Sequence, residues 1–191
     1  MAERLLITGG SGFIGHHVVD LARAKGYDVI VIDHNPPLRD DVEHVQGAVE
    51  DPATWDKVEE PSRIDGIVHL AAKTSVLRSV EAPEETFDSN VVGTQRALEF
   101  ARVHNVPSLA AASTNAVVGN TEDEDINDRT PLAPLTPYGA TKAAGEMLAS
   151  AYHHSYHIAT AMIRLTNVYG PEMWAKDSVI PRLFRTAAGI T

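Results

Sequence analysis

Short apolar runs alternate with longer stretches along the whole chain, and this alternation limits the folds open to it. The runs are RLLIT (4–8), DVIVID (28–33), VEHVQ (42–46), DGIVHLAA (65–72), PSLAAAS (107–113) and ATAMIRLTNV (159–168). Helical spacing fills the gaps, with Ile14, Val18, Leu21 and Ala22, then Val91, Val92, Gln95, Leu98 and Ala101, then Ala144, Met147, Leu148 and Ala151. A strand that is apolar on both faces needs cover on both, so the pattern predicts a doubly wound α/β fold (Rossmann type), a parallel sheet with helices on both faces. Ligands of such sheets bind at the carboxyl ends of the strands. The one long irregular stretch, residues 119–137, is Pro-rich and polar, as functional loops often are.

The first run leads directly into TGGSGFIGHHVVDLARAKG, with glycines at 9, 10, 12 and 15 in a turn that opens a helix. Gly9 permits the tight turn, Gly12 lets backbone N–H groups approach a pyrophosphate, and Gly15 lets the helix pack close to the sheet. Strand-to-helix turns also use glycine for conformation alone, so the triplet gains meaning from Asp33 at the end of the second run. There a carboxylate would accept both ribose hydroxyls of NAD and repel a 2′-phosphate. His34, Asn35 and Pro36 follow, with no arginine, which favours NAD over NADP.

YGATK places Tyr138 and Lys142 four apart, on one face of a helix. A phenol with a pKa of about 10 is a poor base near neutrality, and a nearby ammonium would stabilise its anion. The pair then becomes a usable acid/base, with Thr114 or Ser113 at the end of the fifth run polarising the same substrate oxygen. The plain alternative is an aromatic packing at a helix start beside a solvated lysine.

Charge and composition exclude other classes. A formal net charge of -10 with only 16 Lys and Arg argues against a nucleic-acid surface. EDED at 122–125 reads as a solvated loop. The absence of cysteine rules out disulfides and thiolate metal sites and fits a cytoplasmic setting. No apolar leader and no run of about 20 apolar residues points to export or a membrane span. His16, His17, His153, His154 and His157 have no carboxylates arranged around them, so no metal site is expected and they read as surface or capping residues.

TGGSGFIG, HLAA, SNVVGT, ASTNAVVG, YGATK and RLTNVYGP occur in the order found in the extended short-chain dehydrogenases/reductases, and the chain resembles the NAD-dependent sugar epimerases and dehydratases of that family. The resemblance implies NAD as cofactor and a sugar, often a nucleotide sugar, as the small-molecule substrate. It implies Tyr138 as acid/base, Lys142 lowering its pKa and holding the nicotinamide ribose, and Thr114 as hydroxyl partner. Asn90 is expected near the cofactor, and Leu70, Ala71 and Ala72 beneath it. Gly9, Gly12, Phe13, Ile14, Asp33, His34 and Val49 complete the cofactor candidates, and Thr74, Ser113 and Asn167 are the substrate candidates. The family's four-helix dimer interface would fall on residues 89–104 and 138–153, implying a homodimer.

The chain departs from the family pattern in three places. Where relatives carry Gly-Asp to meet adenine, QGAVED has Ala48, with Asp51 three residues later and Val49 backbone groups as substitutes. Val118 stands where a tyrosine usually lies near the substrate. The chain stops at VIPRLFRTAAGIT, which resembles only the start of the smaller domain that closes over substrate. An NAD-binding domain over 1–175 and the beginning of a substrate region over 176–191 are therefore expected, with Ile180, Leu183 and Phe184 left exposed. Asn115 and Ala116 after Thr114 replace the Asp-Glu of the dehydratases, which favours epimerisation. A carbonyl reductase and a non-catalytic NAD-sensing module are the alternatives.

Overall fold

A computed structural model describes residues 2–121, 126–173 and 179–190. Among the described residues six parallel strands form one sheet: β1 (Arg4–Thr8), β2 (Asp28–Asp33), β3 (Glu43–Gln46), β4 (Gly66–His69), β5 (Ser108–Thr114) and β6 (Ala159–Leu165). Their spatial order is β3-β2-β1-β4-β5-β6, so the chain reverses its winding between β1 and β4. At that point the connections after neighbouring strands leave toward opposite faces, which opens a crevice above the carboxyl ends.

The helices are α1 (Phe13–Ala24), α2 (Pro52–Trp55), α3 (Val76–Glu81), α4 (Pro83–Phe87), α5 (Gly93–His104), α6 (Pro137–Tyr156) and α7 (Val179–Ala187). Their ends follow local chemistry. Thr136 caps α6 by accepting from the Gly139 amide (3.2 Å), and Pro137 takes the first helical position, where no N–H is needed. Asn105 and His157 close α5 and α6 in the left-handed region (φ 58° and 59°). Between α4 and α5 the chain widens into one π turn, Asp88–Val92, with the Gly93 amide reaching back to Asp88 O.

Two cores hold the layers together. Leu6, Ile30, Ile67 and Leu109 of the sheet pack with Trp55, Leu98, Phe100 and Ala149 on one face. Ile7, Val29 and Val31 pack with Val19 and Ala22 of α1 on the other. Leu98 is fully buried, and truncation to alanine costs about 2–5 kcal/mol.

The predicted strands are observed, with VEHVQ, DGIVHLAA and ATAMIRLTNV each shortened. DGIVHLAA forms a strand only through His69, because β4–β5 pairing ends at His69↔Ala111 while β5 runs three residues further beside β6. Leu70, Ala71 and Ala72 therefore form a half-buried shelf just past the sheet. The cover over β6 is one-sided: Arg164 reaches α6, whereas Ala159, Ala161 and Ile163 on the opposite face are exposed. In α7, Leu183 and Phe184 are exposed and Ile180 is half-buried. The acidic run at 122–125 lies outside the described residues.

Candidate active site

The glycine turn is shaped by what surrounds it. Gly9 has φ +72°, and a Cβ there would sit 2.6 Å from the Ala71 amide, so the turn can press against the β4 shelf only with glycine. A Cβ on Gly15 would overlap the Gly9 carbonyl oxygen, which fixes how closely α1 meets the turn. Gly12 opens α1 with no side-chain cap and no acidic residue in the first turn. Phe13 and Ile14 thus start a helix whose first amides have no intrahelical acceptor, a setting suited to an anion.

Asp33 closes the turn on the other side. Its Oδ2 accepts from the Ser11 amide (3.1 Å) and its Oδ1 from the Asn35 amide (3.0 Å). The Ser11 hydroxyl donates to Asn35 O (2.7 Å), so the glycine turn and the β2 exit form one unit. His34 is exposed, and its carbonyl accepts from Gln46 Nε2 (3.0 Å).

Tyr138 and Lys142 both lie in the first turns of α6, beside the end of β5. Thr114 is 7% exposed, and its hydroxyl donates to Asn115 Oδ1 (3.4 Å) while lying near enough to the Tyr138 phenol to influence its pKa. The Thr114 hydroxyl also accepts from the Ala116 amide (3.2 Å), which starts the short 3₁₀ turn Asn115–Val117. Lys142 is 5% exposed, and its Nζ donates to Ala112 O (3.0 Å). Burial lowers the Lys142 pKa to about 8. Burial also raises the Tyr138 pKa, and the nearby Thr114 hydroxyl opposes this. The Lys142 ammonium, expected from the sequence to lower the phenol's pKa, is engaged here with β5, and desolvation is the largest influence on the Tyr138 phenol.

Asn90 is the hinge of the neighbouring wall. From the π turn its Oδ1 accepts from the Lys73 amide (2.8 Å), and its Nδ2 donates to Lys73 O (3.0 Å) and to Thr141 Oγ1 (3.1 Å). Thr141 in turn donates to Tyr138 O (2.8 Å). Ser79 of α3 is fully buried and accepts from the Tyr138 amide (3.1 Å). The stretch 73–79 is therefore anchored at both ends to the helix bearing Tyr138, with Thr74 exposed between the anchors.

Several candidates fall elsewhere. Ser113 points to the opposite face of β5 from Thr114, as strand alternation requires, and donates to Glu146 Oε1 (2.5 Å) in a partly buried cluster with Arg164. It is 4% exposed and not open to a substrate. The Val49 side chain is core, and its carbonyl is taken by the Trp55 indole (2.8 Å). Asp51 caps α2 by accepting from the Ala53 amide (2.9 Å), so it does not replace the missing aspartate at Ala48. Val118 packs with Val117 and Ala143 rather than lining the crevice. His16 is buried, with Nδ1 against Gly12 O (3.0 Å), so it is not a surface residue. Asn167 is exposed just past β6. Sequence alone does not single out Thr8, His69, Ser79 and Thr94, because nothing local distinguishes a buried polar group that will find a partner from one that will not.

Fold and site together define a doubly wound dinucleotide-binding class of protein. A profile of the NAD dependent epimerase/dehydratase family matches residues 5–189, and the chain belongs to that family. It is 38% identical over 194 residues to a dTDP-glucose 4,6-dehydratase of Mycolicibacterium smegmatis, covering 94% of this chain and 57% of the relative. The crystal structure of UDP-glucose 4-epimerase from Thermus thermophilus in complex with NAD superposes with a TM-score of 0.83 at 35% identity, covering 88% of this chain and 57% of the other. The UDP-glucose 4-epimerase of Thermotoga maritima, solved with UDP-glucose, gives a TM-score of 0.90 at 29% identity, with 97% and 63% covered. The chain thus spans less than two thirds of the length of these relatives.

Proposed function

We propose that the chain binds NAD across the carboxyl ends of β2, β1 and β4, within residues 1–175, and serves the epimerisation of a nucleotide sugar. Support comes from the solved relatives, one holding NAD and another UDP-glucose. Gly9, Gly12, Phe13 and Ile14 would receive the pyrophosphate at the uncapped start of α1, and Asp33 the adenosine ribose. Leu70, Ala71, Ala72 and Asn90 would border the nicotinamide half, and His34 and the Val49 segment the adenine half. Bound NAD supplies a hydride acceptor and returns the hydride.

The observation that carries this reading is the convergence of Tyr138, Thr114 and Lys142 where β5 meets α6. Tyr138 would take the proton from the sugar hydroxyl as the carbon is oxidised and return it on reduction. Thr114 would hold the same oxygen, and Lys142, charged at neutral pH below its pKa of about 8, would face the cofactor ribose. Thr74 and Asn167 would border the sugar. Asn115 and Ala116, in place of an acidic pair, support epimerisation over the elimination named for the dehydratase relative.

We further propose a homodimer through α5 and α6, on which Val103, Met147 and Tyr156 are half or more exposed. A cytoplasmic setting is part of the same proposal; among the described residues no helix is long and apolar enough to cross a membrane. Titration calorimetry with NAD and NADP, followed by a nucleotide-sugar screen for epimerised product, tests the function. Tyr138→Phe should abolish turnover with NAD affinity nearly kept. Equal affinity for the two cofactors would overturn the role given to Asp33, and turnover in Tyr138→Phe that given to Tyr138.

A further inference from the structure

The polar atoms buried beneath the crevice form one continuous relay. The Ala71 amide donates to Thr8 Oγ1 (3.3 Å), and Thr8 Oγ1 meets His69 Nδ1 (2.8 Å). On the far side of the ring, His69 Nε2 meets Thr94 Oγ1 (3.2 Å), and Thr94 donates to Asn90 O (2.6 Å). Each direction follows from the last bond. A carbonyl can only accept, so the single Thr94 proton is spent on Asn90 O, and His69 Nε2 must carry a hydrogen to donate to Thr94. Thr8 already accepts from Ala71 and has one proton left, which fits a bare Nδ1. The imidazole is therefore the neutral Nε2–H tautomer, with every donor and acceptor in the relay satisfied.

We propose that His69 is a positioning residue that sets the shelf at Leu70–Ala72 in register with the wall that carries Tyr138. The two ends of the relay are the two sides of the proposed nicotinamide site. At one end is the Ala71 amide, against which Gly9 packs. At the other is Asn90, which grips both polar backbone atoms of Lys73 and, through Thr141, the Tyr138 carbonyl. Asn90 and Thr94 are four residues apart across the exit of the π turn, and such turns re-aim side chains within a helix. Here they aim Asn90 at the crevice wall and Thr94 at the imidazole. A phenylalanine or leucine at His69 would fill the space but leave the Thr8 and Thr94 hydroxyls each short of a partner. His69 touches no reacting atom in this scheme and moves no proton.

The inference rests on the NAD reading for its consequence but not for its geometry, so the test has two arms. In the ligand-free chain, ¹⁵N NMR of the imidazole should show a protected Nε2–H and a bare Nδ1 for His69, unchanged from pH 5 to 9. Amide exchange at Lys73 should be slow in the wild type, at least tenfold faster in Thr94→Val, and slow again in Thr94→Ser. In the second arm, Thr94→Val should weaken NAD binding by about fivefold, the order of one net hydrogen bond, and Thr94→Ser should restore it. If Thr94→Val does not fold, Thr8→Val cuts the relay at its other end and should speed exchange at Ala71 with the same loss of NAD affinity. An Nδ1–H tautomer, titration of His69 within pH 5–9, or unchanged exchange and affinity in the valine variants would overturn the proposal. Failure of the wild type to bind NAD with the tautomer and exchange results intact would instead overturn the cofactor reading and, with it, only the functional consequence of the relay.

Discussion

The Lys142 ammonium donates to the Ala112 carbonyl at 3.0 Å, with its side chain packed between α6 and β5. A buried cation held by one carbonyl is costly, and burial lowers its pKa to about 8 from an ordinary 10.5. Between pH 8 and 10.5 the unfolded lysine keeps a proton that the folded one has shed. Contribution to stability from this group therefore rises with pH across that window. Denaturant melts at pH 8, 9 and 10 should show this rise in the wild type and lose it in Lys142→Met; equal slopes would refute it. Tyr138 acts in the other direction above pH 10, since its raised pKa lets the folded state keep a proton that the unfolded state loses.

The acid limb has a different source. His69 is fully buried, and desolvation, with the Lys142 charge adding to it, lowers its pKa to about 3 from 6.5. The folded state excludes a proton that the unfolded chain binds between pH 6.5 and 3, so stability falls as the pH drops through that range. The loss amounts to roughly 3–5 kcal/mol by pH 3 from this group alone. His69→Asn should be less stable than wild type at pH 7 and lose stability more slowly between pH 6 and 4. A variant with the wild-type slope there would remove His69 as the cause.

The fold was largely legible because its strongest signals are local. β1 and β2 are continuous apolar runs and appear with the predicted bounds, and the Thr136-Pro137 start of α6 puts Tyr138 and Lys142 on one face as their spacing requires. What was not legible depends on partners distant in sequence. Leu70–Ala72 read as more strand, yet no β5 residue pairs with them, and the Thr8 hydroxyl takes the Ala71 amide. Lys142 could be placed beside Tyr138, but not given Ala112 as its acceptor 30 residues earlier. The Ser113 and Thr114 case was half legible: alternation says only one can face the crevice, and only the position of Glu146 says which.

Ser113 accordingly separates stability from function. Its hydroxyl donates to Glu146, whose other contacts are to the Arg164 guanidinium (2.8–3.2 Å). Ser113→Ala should cost about 1 kcal/mol and leave NAD affinity and any turnover unchanged. Glu146→Gln should cost more, roughly 2 kcal/mol, because Arg164 is only 21% exposed and loses its counter-charge. Urea titrations of both variants beside NAD calorimetry check the pair. A large loss of substrate turnover in Ser113→Ala with stability intact would return that residue to the site.

Gly9 and Gly26 both have positive φ, +72° and +88°, but differ in their surroundings. A Cβ on Gly26 meets nothing within 4 Å, so Gly26→Ala carries only backbone strain, about 1–2 kcal/mol. A Cβ on Gly9 would lie 2.6 Å from the Ala71 amide and 2.8 Å from Leu70 C, backbone atoms that cannot swing aside. Gly9→Ala must therefore push the glycine turn off the shelf, adding an overpacking cost of about 1–3 kcal/mol to the same strain. It should also spread the turn that is proposed to receive the pyrophosphate, so NAD affinity should fall steeply in Gly9→Ala and stay at the wild-type value in Gly26→Ala. Matched thermal melts and calorimetry on the two alanine variants make the comparison. Equal destabilisation, or full NAD affinity in Gly9→Ala, would mean that contact between turn and shelf does not govern the site.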